Sequence, residues 1–133
     1  MSVVRFGVSL EQEAFNALDK YASENQIKNR SQAINNLINN KLVEKKWQCN
    51  NIVAGSITLI YNHHKRVLLT NLTNLQHNYH HIILSSQHFH LDDDICMEII
   101  AVKGKAVTIT ELADKLIAIK GIQHGKLTMS RAN

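Results

Sequence analysis

The sequence predicts an α+β fold built from two domains. One observation is a strand-like alternation followed by two helical periods within the first 48 residues of the 133-residue chain. A second is the order βαββαβ of strand and helix patterns from residue 52 onward. The polar stretch KKWQCNN separates the two patterns. The sequence therefore predicts domains at residues 1–48 and 52–133, joined by a short linker.

Composition narrows the classes of function. The longest apolar runs, such as that around Ile82–Leu84, are strand-sized, so no transmembrane helix is expected. The N-terminus lacks the pattern of a signal peptide, which predicts a cytoplasmic protein. Two cysteines, Cys49 and Cys96, are too few for a disulfide framework. A net charge of +4 permits nucleic-acid binding without arguing for it. Eight histidines, most of them between His63 and His90, raise the expectation of metal binding.

The first domain begins with VRFGVS, in which apolar residues alternate with others as in a strand with one apolar face. Ser9 is predicted to cap the first helix, with Gln12 completing a capping box. Ser31 is predicted to cap the second helix, whose apolar residues form one stripe. A lone strand and two short helices cannot bury their own faces. We therefore expect a dimer in which two copies pair their strands and interlock their helices.

A two-stranded ribbon of this kind fits the major groove of DNA. Its outward residues would be Arg5, Gly7 and Ser9, and Arg5 is suited to read guanine. The N-terminus of the second helix, around Arg30 and Ser31, is suited to hold a phosphate. The alternative is that Arg5 and Ser9 are only the solvated side of an edge strand.

The stretch NRSQAINNLI resembles the start of the second helix in ribbon-helix-helix repressors, and the resemblance covers about residues 2–46. It implies a ribbon-helix-helix fold that binds DNA. It therefore favours DNA binding over a merely solvated strand.

The second domain is predicted to contain four strands and two helices. The strands are GSITLIYN, IILSSQHFHLD, ICMEIIAVKG and IQHGKLTMS, and the helices are KRVLLTNLTNLQHN and TITELADKLIAIKG. Their βαββαβ order is that of a ferredoxin-like domain, an antiparallel sheet with both helices on one face.

The hairpin SQHFHLDDDICMEI carries the candidate site. A three-residue turn at Asp92–Asp94 would place His90 opposite Cys96 and His88 opposite Glu98. Directly opposed residues share a face, so two imidazoles and a thiol would gather on one side. We expect the other face, with Phe89, Leu91, Ile95, Met97 and Ile99, to pack under the helices and the histidine face to stay open.

These side chains are candidate ligands for one metal ion, with Glu98 hydrogen-bonded to a ligating histidine. A fourth ligand could be His77. Because His77 ends a helix, it lies roughly 20 Å from His88 at ordinary strand rise, so it would have to serve a site in another subunit. The open faces of two subunits would then meet at the metal. Spacing alone leaves zinc, Ni(II) and Cu(II) open.

Over essentially its whole length the chain resembles the nickel-responsive regulator (NikR) family. The matching motifs are NRSQAI, YNHHKR, LQHNYH, QHFHLDDDIC and MEIIAVKG. The resemblance implies a square-planar Ni(II) site of His88, His90 and Cys96, with His77 from a neighbouring subunit. It also implies a homotetramer, a dimer of dimers, with central ACT-type domains and flanking dimers on a palindromic double-stranded operator. Nickel would promote DNA binding and repress nickel uptake.

Two positions depart from the family pattern. Gln32 and Asn36 stand where members carry acidic residues that help to bind a potassium-like cation, and neutral amides bind a hard cation more weakly. Gly7 stands where the family has a hydroxyl side chain, which reduces base readout to Arg5 and Ser9. In the family the region of Lys65 and Arg66 touches the DNA backbone, so both are expected phosphate contacts; the alternative is a solvated helix start.

The sequence thus predicts a nickel-dependent transcriptional repressor rather than an enzyme. A thiol facing two histidines could form a nucleophile–base pair, but coordination explains it better. An antitoxin would carry a disordered tail instead of a second folded domain. The remaining alternative is a ribbon-helix-helix regulator that responds to another metal or to a small ligand.

Overall fold

The computed structural model describes residues 2–132. It contains two compact units, with the boundary between Lys41 and Leu42. Helices α1 (Gln12–Glu24) and α2 (Arg30–Gln48) account for the first unit, and α2 continues past the boundary into the second. None of the helices in this part of the chain is long and apolar enough to span a membrane.

The predicted N-terminal strand is not formed within the single chain. Residues 2–10 carry no helix or strand, and Val4 and Phe6 are 83% and 74% exposed. A strand needs a hydrogen-bonding neighbour, and the described chain offers none to this segment. The pairing of two copies therefore stays a prediction.

Both predicted helix caps are wrong. Helix α1 begins two residues later than the capping box requires, after Glu11, whose side chain makes no capping bond. Helix α2 already includes Ser31, and the cap is instead Asn29, whose Oδ1 accepts the backbone N–H of Gln32 at 2.9 Å. An asparagine placed just before the first turn satisfies a free amide that a serine within the helix cannot reach.

The second unit has the predicted βαββαβ order. Its elements are β1 (Ile52–Asn62), α3 (Arg66–Asn78), a 3₁₀ turn (His80–Ile82), β2 (Ile83–His90), β3 (Ile95–Lys105), α4 (Ala106–Ile117) and β4 (Ile122–Ser130). The sheet order is β2-β3-β1-β4, and all neighbouring strands are antiparallel. The ferredoxin-like prediction for this domain is confirmed.

The core lies between one face of the sheet and the two helices. Alternate residues of β1 and β3 are fully buried because α3 and α4 cover that face. The residues buried there include Val53, Ile57, Leu59, Ile100 and Val102 from the strands and Leu68, Leu72, Ile109, Leu112 and Leu116 from the helices.

The predicted linker at residues 45–51 is wrong for its first four residues, which form the last turn of α2. Trp47 is 8% exposed and belongs to the core cluster of the second unit. Its ring covers Gly55, and its Nε1–H donates to the carbonyl oxygen of Ser130 at 2.9 Å. A single aromatic residue within a polar stretch thus fastens the end of α2 to β1 and β4.

Replacement of Trp47 should destabilise the second unit. We expect Trp47→Ala to lower the free energy of unfolding by about 3–5 kcal/mol, as for other large-to-small core changes. Trp47→Phe keeps most of the ring and loses the bond to Ser130, so it should cost less. Urea unfolding followed by circular dichroism measures both. Val67→Ala, at a position 76% exposed, is the control; equal stability of Trp47→Ala and this control would refute the core assignment.

Candidate metal centre

The predicted register of the β2–β3 hairpin is confirmed. His90 lies opposite Cys96, Phe89 opposite Met97 and His88 opposite Glu98. The turn is held by Asp92, whose Oδ1 accepts the backbone N–H groups of Asp94 and Ile95 at 2.8 and 2.7 Å. These bonds lower the pKa of Asp92 below its ordinary value, and the bond to Ile95 has the larger effect.

The predicted faces of this hairpin are inverted. Cys96 and Glu98, each 1% exposed, lie on the side covered by the helices, whereas Phe89 is 43% exposed on the open side. The reason lies outside the hairpin. Cys96 shares its face with Ile100 and Val102 farther along β3 and pairs with buried Tyr61 of β1, so the larger core decides which side faces the helices.

Cys96 and His88 approach each other on the covered face. Cys96 Sγ lies 3.9 Å from His88 Nδ1, and the hydroxyl of Tyr61 lies 3.4 Å from the same nitrogen. The thiol is buried, whereas the His88 side chain is 55% exposed. The site therefore lies at the rim of the core, where a buried sulfur and an accessible imidazole nitrogen meet.

Glu98 is a buried carboxylate that is fully hydrogen-bonded. Its Oε1 accepts the Tyr61 hydroxyl at 2.7 Å, and its Oε2 accepts Gln76 Nε2 at 3.0 Å and Ser86 Oγ at 2.5 Å. His88 Nε2 lies 3.6 Å from the same Oε2. The Glu98 carboxylate therefore lies beside His88 but beyond hydrogen-bonding distance of it, so the predicted hydrogen bond to a ligating histidine stays a prediction.

Tyr61 stays protonated in this environment. Burial first, and then the neighbouring carboxylate of Glu98, raise the pKa of Tyr61 far above its ordinary value. The neutral hydroxyl therefore remains a hydrogen-bond donor to Glu98 at any physiological pH. Tyr61 thus both packs in the core and hydrogen-bonds to Glu98.

His90, which pairs with Cys96 across the hairpin, contacts the loop after β1. Its ring stacks in parallel on that of His63, with centroids 4.5 Å apart. His63 and His64 each place Nε2 within 2.9 Å of the carbonyl oxygen of Asp93. The two loop histidines therefore link the β1–α3 loop to the hairpin turn.

The last turn of α3 reaches the cluster through Gln76, the residue before His77. His77 itself is exposed, and its ring lies against that of His80 with centroids 5.8 Å apart. This turn of α3 is therefore nearer to the site than the strand rise predicted. His77 itself lies against His80.

Within residues 2–132 of one chain, no three histidine, cysteine, aspartate or glutamate side chains are arranged to hold a metal ion. The types of donor nevertheless fit nickel. A thiol and imidazole nitrogens are the ligands that a borderline, square-planar d⁸ ion accepts. Cys96 is a free thiol, not part of a disulfide. The donor atoms are therefore of a suitable kind, but the described residues of one chain do not bring enough of them together.

The residues predicted to meet DNA divide into two groups. Arg5, Gly7 and Ser9 are exposed, and nothing lies within 4 Å of a Cβ built on Gly7. Arg30 is already engaged: its Nε and Nη2 donate to the two carboxylate oxygens of Asp19 at 2.8 and 3.1 Å. This bond lowers the pKa of Asp19. The remaining candidates Ser31, Lys65 and Arg66 are exposed.

Sequence reasoning missed two partners of the buried carboxylate. Ser86 precedes His88 by two residues and so shares its face of β2, a signal that alternation provides. Gln76 neighbours His77 on a helix, and no pattern in the sequence indicates which strand it meets.

The fold defines the class of the second unit, which is a ferredoxin-like domain. Residues 54–130 match the family described as NikR C terminal nickel binding domain. Relatives described as nickel-responsive regulators occur in Syntrophus aciditrophicus, 47% identical over 96% of this chain and 93% of that protein, and in Pyrococcus furiosus, 44% identical over 98% and 95%. The chain belongs to the nickel-responsive regulator family.

Two solved structures share the fold. An uncharacterized protein from Thermotoga maritima superposes with a TM-score of 0.54 at 19% identity, covering 59% of this chain and 98% of that one. The ACT domain from GTP pyrophosphokinase of Chlorobium tepidum gives a TM-score of 0.50 at 17% identity, covering 58% and 99%. The second unit is therefore ACT-like. Its family comprises regulators rather than enzymes, and the metal of that family is Ni(II).

The Tyr61–Glu98 bond should contribute measurably to stability without metal. Tyr61→Phe leaves a buried carboxylate with one donor fewer, and we expect a loss of about 2 kcal/mol, as for bonds to charged groups. The matched control is Tyr79→Phe, whose hydroxyl accepts a bond from exposed Lys115; it should cost less than about 1 kcal/mol. Urea unfolding of the metal-free proteins compares them, and equal losses would contradict the importance of this bond.

Proposed function

We propose that the protein is a nickel-dependent transcriptional repressor. Residues 1–48 form a ribbon-helix-helix DNA-binding domain, and residues 52–133 bind the metal and assemble the tetramer. The observation that carries the proposal is the approach of Cys96 Sγ to His88 Nδ1 at 3.9 Å, in a chain whose relatives are nickel-responsive regulators.

The proposed Ni(II) ligands are His88, His90 and Cys96 of one subunit and His77 of a neighbouring subunit. The paired register of His90 and Cys96 supports this set, because directly opposed Cβ atoms lie about 5 Å apart. The arrangement of His77 supports an inter-subunit role, since it is exposed at the end of α3. When bound, nickel would be coordinated by the thiolate and three imidazoles.

Unpartnered apolar surfaces support the proposed tetramer. In the first unit, an apolar cavity of about 490 Å³ is lined by residues that include Phe6, Val8 and Leu37. In the second unit, the open face of the sheet carries Phe89 and Leu91, which are 43% and 54% exposed. Large exposed apolar patches are typical of interaction sites. A second copy seated on each would give a dimer of dimers.

In the proposed complex with a palindromic double-stranded operator, the paired strands lie in the major groove. Arg5 and Ser9 then address base edges, and Gly7 lets the ribbon approach closely. Exposed Lys65 and Arg66 fit phosphate contacts, and Ser31 lies in the first turn of α2, where backbone N–H groups could also hold a phosphate. Arg30 would bind a phosphate only if its hydrogen bonds to Asp19 were broken first. Such a regulator would act in the cytoplasm.

Nickel would act by shifting a population. The ion has to bind one arrangement of the subunits more tightly than the others, and that arrangement has to fit both half-sites of the operator. The runner-up is a regulator of the same build that responds to another metal. A thiol with imidazoles also binds Cu(II), which the general affinity order favours.

Nickel binding should depend on Cys96. Titration of the metal-free protein with Ni(II) should give a saturable sulfur-to-nickel charge-transfer band at about one nickel per chain. Cys96→Ala should abolish the band, because no other thiol serves the site. Cys49→Ala is the matched control, since Cys49 is exposed and outside the cluster. Persistence of the band in Cys96→Ala, or its loss in Cys49→Ala, would overturn the assignment.

Nickel should raise operator affinity at fixed salt by about 5- to 150-fold, the usual range of coupling between two sites. The probe is double-stranded DNA selected from a random pool with the nickel-loaded protein. Arg5→Ala should lower the affinity for the selected site and relax its specificity. Lys126→Ala, on β4 of the other domain, is the control. Equal affinity with and without nickel would refute the proposed function.

A further inference from the structure

Within the second unit, a short connection, here called the junction, joins the end of α2 to β1. The connection between α2 and β1 consists of residues 49–51. The backbone N–H of Asn50 donates to the carbonyl of Trp47 at 3.3 Å, and that of Asn51 donates to the carbonyl of Lys46 at 3.1 Å. Asn50 has a φ of 56°, a left-handed conformation that asparagine tolerates. The connection is thus a defined turn rather than an unstructured linker.

The same turn also caps helix α4. The residue that precedes α4, Lys105, makes no side-chain capping bond. Instead Oδ1 of Asn50 accepts the backbone N–H of Val107 at 2.8 Å, and the carbonyl of Asn51 accepts that of Ala106 at 3.1 Å. The first free amides of α4 are therefore satisfied from a segment 57 residues earlier in sequence.

Strands β1 and β3 connect this junction to the metal centre. They pair without interruption from Ile52 opposite Lys105 to Tyr61 opposite Cys96. One end of the ladder thus starts at the junction, and the other carries the thiol and the Tyr61–Glu98 bond, about 30 Å away at ordinary strand rise. Any shift of β3 along β1 at the metal end has to be accommodated where β3 enters α4.

We infer that Asn50 is a positioning residue that couples nickel occupancy to DNA binding, by tying the end of α2 to the start of α4. This inference rests on the proposed function. Helix α2 is the covalent path from the second unit to the predicted DNA-binding residues. Without the Asn50 bond, the connection after α2 is held to α4 only through the carbonyl of Asn51, so a change at the nickel end of the ladder reaches α2 less completely.

Three variants of the full-length protein test the inference. Asn50→Gly keeps the left-handed backbone and removes the capping oxygen. Asn50→Asp retains an acceptor at the N-terminus of α4, where a carboxylate is also favourable. Asn51→Ala is the matched control, because Asn51 caps α4 through its backbone carbonyl.

The measurements are Ni(II) titration by absorption, oligomeric state by light scattering, and affinity for the selected operator with and without nickel. For Asn50→Gly we expect unchanged nickel affinity, oligomeric state and nickel-free DNA affinity. The nickel-dependent gain in DNA affinity should fall about five- to ten-fold, the effect of one lost cap on an equilibrium. Asn50→Asp and Asn51→Ala should keep the full gain.

A full gain in Asn50→Gly would overturn the inference and leave the proposed function intact. Loss of nickel binding together with the gain would also overturn it, since Asn50 would then only support the fold. The absence of any nickel-dependent gain in the unmodified protein is a different result, because it refutes the proposed function itself.

Discussion

The buried carboxylate of Glu98 is the constraint on which the second unit depends. A carboxylate that is 1% exposed has to be satisfied by donors, and its donors come from three different elements: Tyr61 of β1, Gln76 of α3 and Ser86 of β2. Meeting this requirement fixes the edge strand, the central strand and the last turn of a helix relative to one another. The imidazole of His88 and the thiol of Cys96 are held at the rim of the same network, so folding already brings together two of the four proposed nickel ligands.

The pairing of β1 with β3 explains why a change at one end of the sheet can affect the packing of the whole second unit. β1 and β3 are the two central strands, and they contribute buried residues along their full length. Their register cannot slip by one residue, because a slip would turn Cys96 and Glu98 to the open face together with the apolar residues of the core. The close approach of Gly125 to Ile117 and of Gly55 to the carbonyl of Thr128 allows β4 and α4 to pack against this ladder without side chains in between.

Local patterns in the sequence predicted the order of the elements and the register of the hairpin. The βαββαβ order and the hairpin register followed from alternation and from one turn at Asp92–Asp94. The face of the hairpin could not be obtained in this way, because β3 is apolar on both sides and the choice is made by its pairing with β1. The role of Trp47 was equally inaccessible: its partners, Gly55 and Ser130, are brought to it only by the folded sheet. The contacts of Gln76 and Asn50 likewise join segments that no periodicity relates.

Several surfaces of the described chain would be covered by the assembly that we propose. The N-terminal segment has an apolar face and no strand partner, the cavity beside α1 is lined by apolar side chains, and the open side of the sheet exposes Phe89 and Leu91. The donors around Cys96 do not form a complete metal site within residues 2–132 of one chain. A separate explanation for each would need several unrelated partners. In the proposed assembly, further copies of this chain would supply an antiparallel strand, an apolar face and an exposed His77 at once, so assembly and metal binding would form one equilibrium.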